Sequence, residues 1–242
     1  MEKVINIDGV IAANDLEAFV ISEGLNYYTS DQFIDDTSEL ESGDILTINV
    51  DTYGGGINAG IKIYNTCKEL QSKGVSVITF NKGKQHSIGS VVMLGGMPRK
   101  GYSSSVGVIH MPRIPSEYFT SKSEYTANDL EWMYSDLRLE ENRILDIYVT
   151  ETGKDKEELR AIMNQERNLS AQELKELGFI TEIVNGAPQI TTQNKKAFAY
   201  VNLVKPKSKK VENQLNEIQE KVGSLETLFK NFVNYFKIAI HC

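Results

Sequence analysis

Ser87 lies at a predicted turn between a strand and a helix, where many acyl-transfer enzymes place a nucleophile. The β-branched and aromatic run at residues 77–80 (VITF) predicts a buried strand, and residues 81–83 (NKG) have turn chemistry. Residues 88–94 (IGSVVML) predict a buried helix, whose N-terminus would direct free N–H groups at a reacting oxygen. The alternative interpretation of Ser87 is a helix N-cap.

Three consecutive glycines at residues 54–56 form a second candidate site, since they separate a predicted strand (residues 44–50) from a predicted helix that ends near Gly74. Glycines bring backbone N–H groups close to a phosphate or an oxyanion, or they simply permit a tight turn. The segment lacks the Lys-Ser/Thr of a P-loop, and its spacing does not fit the dinucleotide fingerprint. The sequence therefore disfavours nucleotide binding.

Histidines are few, which limits the candidates for a general base to His86, His110 and His241. His110 lies near the end of a predicted strand at residues 105–112, where it serves either as a base or as a structural residue.

Composition restricts the class of protein. The net charge of −7 over 242 residues argues against a general nucleic-acid binder. Cys67 and Cys242 show no metal-ligand spacing, so we expect no metal site, and their number predicts a reducing, cytoplasmic setting. No signal peptide and no apolar run of membrane-spanning length is evident, so no membrane partner is expected.

The elements that would position these residues alternate between strands and helices. A long helix at residues 125–151, about 40 Å in length, carries an apolar stripe and is expected to project from the domain. The remaining expectations are strands at 4–11 and 179–184, a helix with an irregular insert at 15–38, a turn at 99–102, a short helix at 156–163 and a helix opened by a Ser170–Glu173 capping box.

A change in charge marks a domain boundary near the C-terminus, because nine lysines and four glutamates follow residue 194. We interpret residues 1–186 as one domain and residues 187–210 as a basic linker. Residues 211–242 show an a/d heptad pattern, which predicts a coiled-coil-like helix or an amphipathic helix folded back on the domain.

Several segments, in one consistent order, resemble the proteolytic subunit of the Clp protease. Residues 51–60 (DTYGGGINAG) resemble that family's Ser-Pro-Gly-Gly segment, and residues 83–90 (GKQHSIGS) resemble its nucleophile turn. Residues 109–112 (IHMP) resemble its Ile-His-Gln-Pro, and residues 169–180 (LSAQELKELGFI) resemble its Leu-Ser-Ala segment. The long helix matches the family's handle helix in place and length.

The resemblance implies an α/β fold, the spiral of β-β-α units of the ClpP and crotonase folds, with a projecting handle helix. It implies a serine endopeptidase with Ser87 as nucleophile, His110 as general base and Glu166 as the acid. The backbone N–H groups of Gly55 and Ile88 would form the oxyanion hole, and no metal or organic cofactor is implied. The family also implies homo-oligomeric rings, stacked rings and an ATPase partner.

Four positions depart from the family pattern. Gln85 and His86 replace alanines before the nucleophile, Glu166 replaces an aspartate, and Tyr53 replaces a proline. His86 is also an alternative base, but a sequence neighbour of the nucleophile rarely faces the same way.

The C-terminal extension resembles that of phage head-maturation proteases. It predicts a prohead protease that processes capsid or scaffold proteins, in the bacterial host cytoplasm or the prohead. Two alternatives stay open: a catalytically inactive ring or scaffold protein of the same fold, and a crotonase-type acyl-CoA enzyme.

Overall fold

A mostly parallel sheet organises the part of the chain that the computed structural model describes, residues 1–22, 24–114 and 124–185. Its strands there are β1 (Glu2–Ala12), β2 (Tyr27–Thr29), β3 (Ile45–Gly55), β4 (Ser76–His86), β5 (Arg99–Tyr102), β6 (Val106–Val108), β7 (Leu169–Ser170) and β8 (Glu182–Val184). The helices there are α1 (Asp15–Ile21), α2 (Ser30–Thr37), α3 (Ile57–Ser72), α4 (Gly89–Leu94), α5 (Ala127–Thr152), α6 (Lys156–Gln165) and α7 (Ala171–Glu176).

The strand order is β2-β1-β3-β4-β5-β8, and every neighbouring pair in this path is parallel. Strand β6 lies off the path, parallel to the end of β4, and β7 is antiparallel to β6. Helices follow β3 and β4 directly, as the repeated strand–turn–helix pattern predicts. The α/β class that the resemblance implies is therefore confirmed, and its sheet is mostly parallel.

The pattern of buried residues in β3 and α4 matches the residue pattern of their sequences. In β3, Leu46, Ile48 and Val50 are fully buried and alternate with partly exposed residues, as a strand packed on one face requires. In α4 every residue is buried, which agrees with the apolar composition of residues 88–94. Each fully buried aliphatic side chain contributes about 1.5–3 kcal/mol.

The turn predicted at residues 81–83 is wrong, because β4 continues through them to His86. The local turn chemistry instead produces an irregularity in the β3–β4 pairing, where the register shifts between Val50 and Thr52. Strand β4 changes partner across it: Thr79–Asn81 pair with β5, and Lys84–His86 pair with β6. This change brings β6 beside the end of β4.

Two other local expectations are wrong. The predicted turn at residues 99–102 is strand β5, whose pairing with β4 and β8 overrides its polar composition. The single helix expected over residues 15–38 is two helices, α1 and α2, with the short strand β2 between them.

The predicted long helix is present as α5. A Thr126–Asp129 capping box begins it, and Gly153 ends it in the left-handed conformation at φ +68°. Its C-terminal half packs into the core through buried apolar residues, while large apolar side chains of its N-terminal half are exposed: Leu130, Trp132, Tyr134 and Leu139. The Ser170–Glu173 capping box predicted for α7 is also present.

The predicted linker at residues 187–210 and heptad segment at residues 211–242 lie outside the described residues. Within the described ranges, no helix combines the length and apolar character needed to cross a membrane.

Candidate active site

Ser87 occupies the junction between β4 and α4 in a left-handed backbone conformation, with φ +54°. This conformation is uncommon for a residue with a side chain and is typical of strained functional turns. The Ser87 N–H donates to the Val108 carbonyl at 2.7 Å, and its carbonyl accepts from the Ser90 N–H at 3.0 Å and the Ser90 hydroxyl at 2.6 Å. Hydrogen bonds thus hold both the backbone N–H and the backbone carbonyl of the candidate nucleophile.

Gly54 makes the closest approach of the glycine segment to this turn. It has φ +100°, and a Cβ built on it would lie 2.5 Å from Ser87 Cβ and 3.1 Å from Ser87 Oγ. Only glycine fits at this position, for both conformational and steric reasons. The triple glycine therefore permits β3 to pass directly beside the candidate nucleophile.

The two candidate oxyanion donors, Gly55 and Ile88, directly follow the two residues of this contact in the chain. Gly55 has φ +149°, and a Cβ there would overlap the Ile11 carbonyl, which accepts a hydrogen bond from the Gly56 N–H at 2.8 Å. Ile88 precedes α4, and its carbonyl accepts from Val91 N–H at 3.0 Å.

A hydrogen-bonded chain connects the nucleophile turn to the long helix. Because the Ser90 hydroxyl donates to Ser87, the 2.6 Å contact between Ser90 Oγ and Tyr148 Oη requires Tyr148 to donate. Tyr148 is buried and packs edge-on against Phe179, with ring centroids 4.9 Å apart. Burial raises the pKa of Tyr148, so its hydroxyl stays protonated and able to donate. Sequence analysis missed both polar partners, since each appears in an apolar helical stretch.

His110 follows β6, two residues after the Val108 carbonyl that holds Ser87. Its Nδ1 lies 2.7 Å from the Met111 carbonyl oxygen. Burial lowers the pKa of His110 and so favours the neutral imidazole; the charge of Arg113 lowers that pKa further, whereas the Met111 hydrogen bond and the charge of Glu166 raise it. No hydrogen bond joins Ser87 to His110 among the described residues.

Glu166 ends α6 with a left-handed backbone at φ +48°. Its Oε2 accepts a hydrogen bond from Arg113 Nη2 at 2.6 Å, and no hydrogen bond to His110 is present in the described ranges. Its charge nevertheless acts on the pKa of His110. The structure therefore brings Glu166 into electrostatic range of His110 but pairs its carboxylate with Arg113.

His86 lies beside the site with its Nε2 buried and, in the described part of the chain, without a hydrogen-bond partner. Burial and then the charge of Lys84 lower its pKa to about 4, against a weaker opposing effect from Asp51. The Tyr53 ring lies edge-on to His86 at 6.3 Å, with Lys84 Nζ 4.5 Å from the centre of that ring. His86 is thus a neutral neighbour of the candidate nucleophile at ordinary pH.

Gln85, which stands where the family has an alanine, is fully buried. Its Oε1 accepts from Asn81 Nδ2 at 3.0 Å, and the same Nδ2 lies 3.1 Å from the Val106 carbonyl. These bonds secure β6 to the irregular part of β4.

Among the described residues, no group of three or more histidine, cysteine, aspartate or glutamate side chains could hold a metal ion.

Comparison with known proteins gives consistent results. The family model described as Clp protease matches residues 20–187. The ATP-dependent Clp protease proteolytic subunit 1 of Protochlamydia amoebophila is 24% identical over 152 residues, which are 62% of this chain and 70% of that protein. The structure of a single-residue mutant of ClpP1 from Listeria monocytogenes superposes with a TM-score of 0.56 at 22% identity, covering 76% of this chain and 91% of the other. This structural likeness shows a shared fold.

Proposed function

The chain belongs to the Clp protease family, and from that premise we propose that it is a serine endopeptidase with Ser87 as nucleophile and His110 as general base. The observation that carries this proposal is the hydrogen bond from Ser87 N–H to the Val108 carbonyl at 2.7 Å. It fixes a strained serine turn to the strand that ends two residues before the histidine.

The proposed reaction is acyl transfer to Ser87. The Ser87 Oγ attacks the carbonyl carbon of the scissile peptide while His110 Nε2 takes its proton. The tetrahedral oxyanion accepts hydrogen bonds from the Gly55 and Ile88 N–H groups, and His110 then gives the proton to the leaving amine. Water, deprotonated by His110, hydrolyses the acyl-enzyme and regenerates Ser87.

In this proposal Glu166 is the acidic residue that stabilises the imidazolium. Its charge favours protonated His110, which is the form that appears as the nucleophile attacks. The Arg113 pair at 2.6 Å reduces that effect, since it lowers the negative potential at His110.

We propose a homo-oligomer, with rings or stacked rings as in the family. Four large apolar side chains exposed on the N-terminal half of α5 support this, because exposed apolar patches mark protein–protein interaction sites. An ATPase partner belongs to the same proposal and is supported by the Protochlamydia relative, which is a subunit of an ATP-dependent Clp protease.

We further propose that the substrates are phage capsid or scaffold proteins, processed in the bacterial host cytoplasm or in the prohead. The support is the sequence beyond the family match, which ends at residue 187: a basic linker and then a heptad-patterned segment.

A catalytically inactive ring or scaffold protein is the second candidate function. It is favoured by one observation, namely that Glu166 is hydrogen-bonded to Arg113. The family match supports a protease over the crotonase-type acyl-CoA alternative.

Hydrolysis of a protein or fluorogenic peptide substrate tests the proposal. Ser87→Ala and His110→Ala should each abolish hydrolysis while the oligomer, measured by light scattering, persists. The matched control is Ser104→Ala, in the turn between β5 and β6, which should retain activity. Activity that survives in Ser87→Ala would refute the assignment, and loss of the oligomer in that variant would make the serine structural.

A further inference from the structure

We propose that the Met111 backbone carbonyl, rather than the Glu166 carboxylate, orients His110 for catalysis. This inference rests on the proposed function, because it concerns how the same base is positioned. It divides the two tasks of a triad acid between two groups: the carbonyl fixes the imidazole, and Glu166 contributes charge from a distance.

The hydrogen bond at Nδ1 determines the tautomer of His110. A carbonyl oxygen can only accept, so the 2.7 Å contact with the Met111 carbonyl requires a proton on Nδ1. In the neutral ring, Nε2 is then unprotonated and able to take a proton from a serine hydroxyl. This is the tautomer that a general base needs.

Two features hold the Met111 carbonyl in place. Met111 is partly buried and packs against the hydrophobic core. The next residue, Pro112, restricts the backbone of Met111 to extended conformations, so the direction of its carbonyl is constrained by the sequence itself.

The Glu166 carboxylate is hydrogen-bonded to a residue other than His110. Its Oε2 accepts the 2.6 Å hydrogen bond from Arg113. Both side chains of this pair are partly exposed, at 46% for Arg113 and 36% for Glu166. The charged groups that act on the pKa of His110 are this pair: Arg113 lowers it and Glu166 raises it. His86 on β4 is a titratable neighbour whose own pKa is lowered by the charge of His110.

Glu166→Gln tests the inference, since it keeps the shape of the side chain and removes the charge. We expect kcat/KM to fall by less than about 30-fold, whereas mutation of a directly bonded triad acid costs about 10,000-fold. Glu140→Gln, which removes a carboxylate paired with Arg143 at 2.7 Å on α5, is the matched control and should leave kcat/KM unchanged. A loss larger than about 30-fold in Glu166→Gln alone would overturn the inference.

The tautomer of His110 is the second readout, since a change between the wild type and Glu166→Gln would assign the orientation of Nδ1 to Glu166 and not to the Met111 carbonyl. Nitrogen-15 NMR of histidine-labelled full-length protein at about pH 8, well above the ordinary histidine pKa, should show the Nδ1–H form of His110 in the wild type and in Glu166→Gln. The signals are assigned with His86→Ala and His241→Ala variants. An Nε2–H form in either protein would overturn the inference. If the protein hydrolyses nothing, the proposed function fails, but this spectrum still decides the orientation of His110.

Discussion

The backbone N–H of Ser87 donates a 2.7 Å hydrogen bond to the Val108 carbonyl. This bond extends the parallel β4–β6 ladder by one residue beyond the His86–Val108 pair. It exists because β4 exchanges β5 for β6 across its irregular segment. The relative position of the nucleophile turn and His110 is therefore set by the sheet and not by a loop.

Gly54→Ala should abolish activity and destabilise the fold by more than about 2 kcal/mol. The added methyl would lie 2.5 Å from Ser87 Cβ, and the φ of +100° is itself unfavourable for alanine. Urea denaturation and peptidase assays would measure the two effects.

Gly153→Ala is the control for backbone conformation alone. Gly153 has φ +68°, and a Cβ there meets no atom within 4 Å, so the expected cost is only about 1 kcal/mol, with activity retained. Equal losses in the two variants would contradict the proposed contact between Gly54 and the nucleophile turn.

Tyr148→Phe should reduce stability by about 1 kcal/mol and lower kcat/KM, because Ser90 loses the donor that helps to position it under the Ser87 carbonyl. Phenylalanine keeps the packing against Phe179. Tyr27→Phe, at an exposed position in β2, should change neither quantity. Unchanged kcat/KM in Tyr148→Phe would show that the chain of hydrogen bonds does not serve the site.

The pH dependence of kcat/KM should report a base that titrates below 6.5, since burial lowers the pKa of His110 from that value. The neutral, active imidazole then persists to lower pH than in a free histidine. Arg113→Gln removes a charge that lowers the pKa, so the acid limb should move to higher pH; Glu166→Gln should move it to lower pH. Shifts in the reverse directions would contradict the assignment of His110 as the base.

His86 should make stability depend on pH. Its pKa is about 4 in the folded chain against an ordinary value of 6.5, so the unfolded state binds more protons between these values. The free energy of unfolding therefore falls as the pH falls from 6.5 to about 4, by up to about 3 kcal/mol from this residue. His86→Ala should lose that part of the dependence in urea denaturation at several pH values. An identical slope in both proteins would show that His86 is already solvated.

Local sequence patterns predicted the elements whose structure is determined locally. The Ser170–Glu173 capping box and the long helix α5 follow from spacing along a single segment. Strand β5 and the continuation of β4 to His86 depend on hydrogen bonding to strands that are distant in the sequence. Local propensities carry no information about such pairing.

The same distinction applies to the site. Ser87 and the glycine segment were identifiable because their residue types suit strand–helix junctions. The Arg113–Glu166 pair joins residues 53 positions apart, and the Tyr148–Ser90 bond spans 58 positions. Such pairings arise from tertiary packing, so the sequence alone could not show that Glu166 has a competing partner.

Reaction with a fluorophosphonate probe, followed by mass spectrometry of the digested protein, tests the central claim most directly. The account predicts one adduct, at Ser87, that is absent in His110→Ala and still forms in Glu166→Gln. Absence of labelling in protein shown to be oligomeric would contradict an activated serine and favour the inactive scaffold function. Labelling at another serine would contradict the assignment of Ser87.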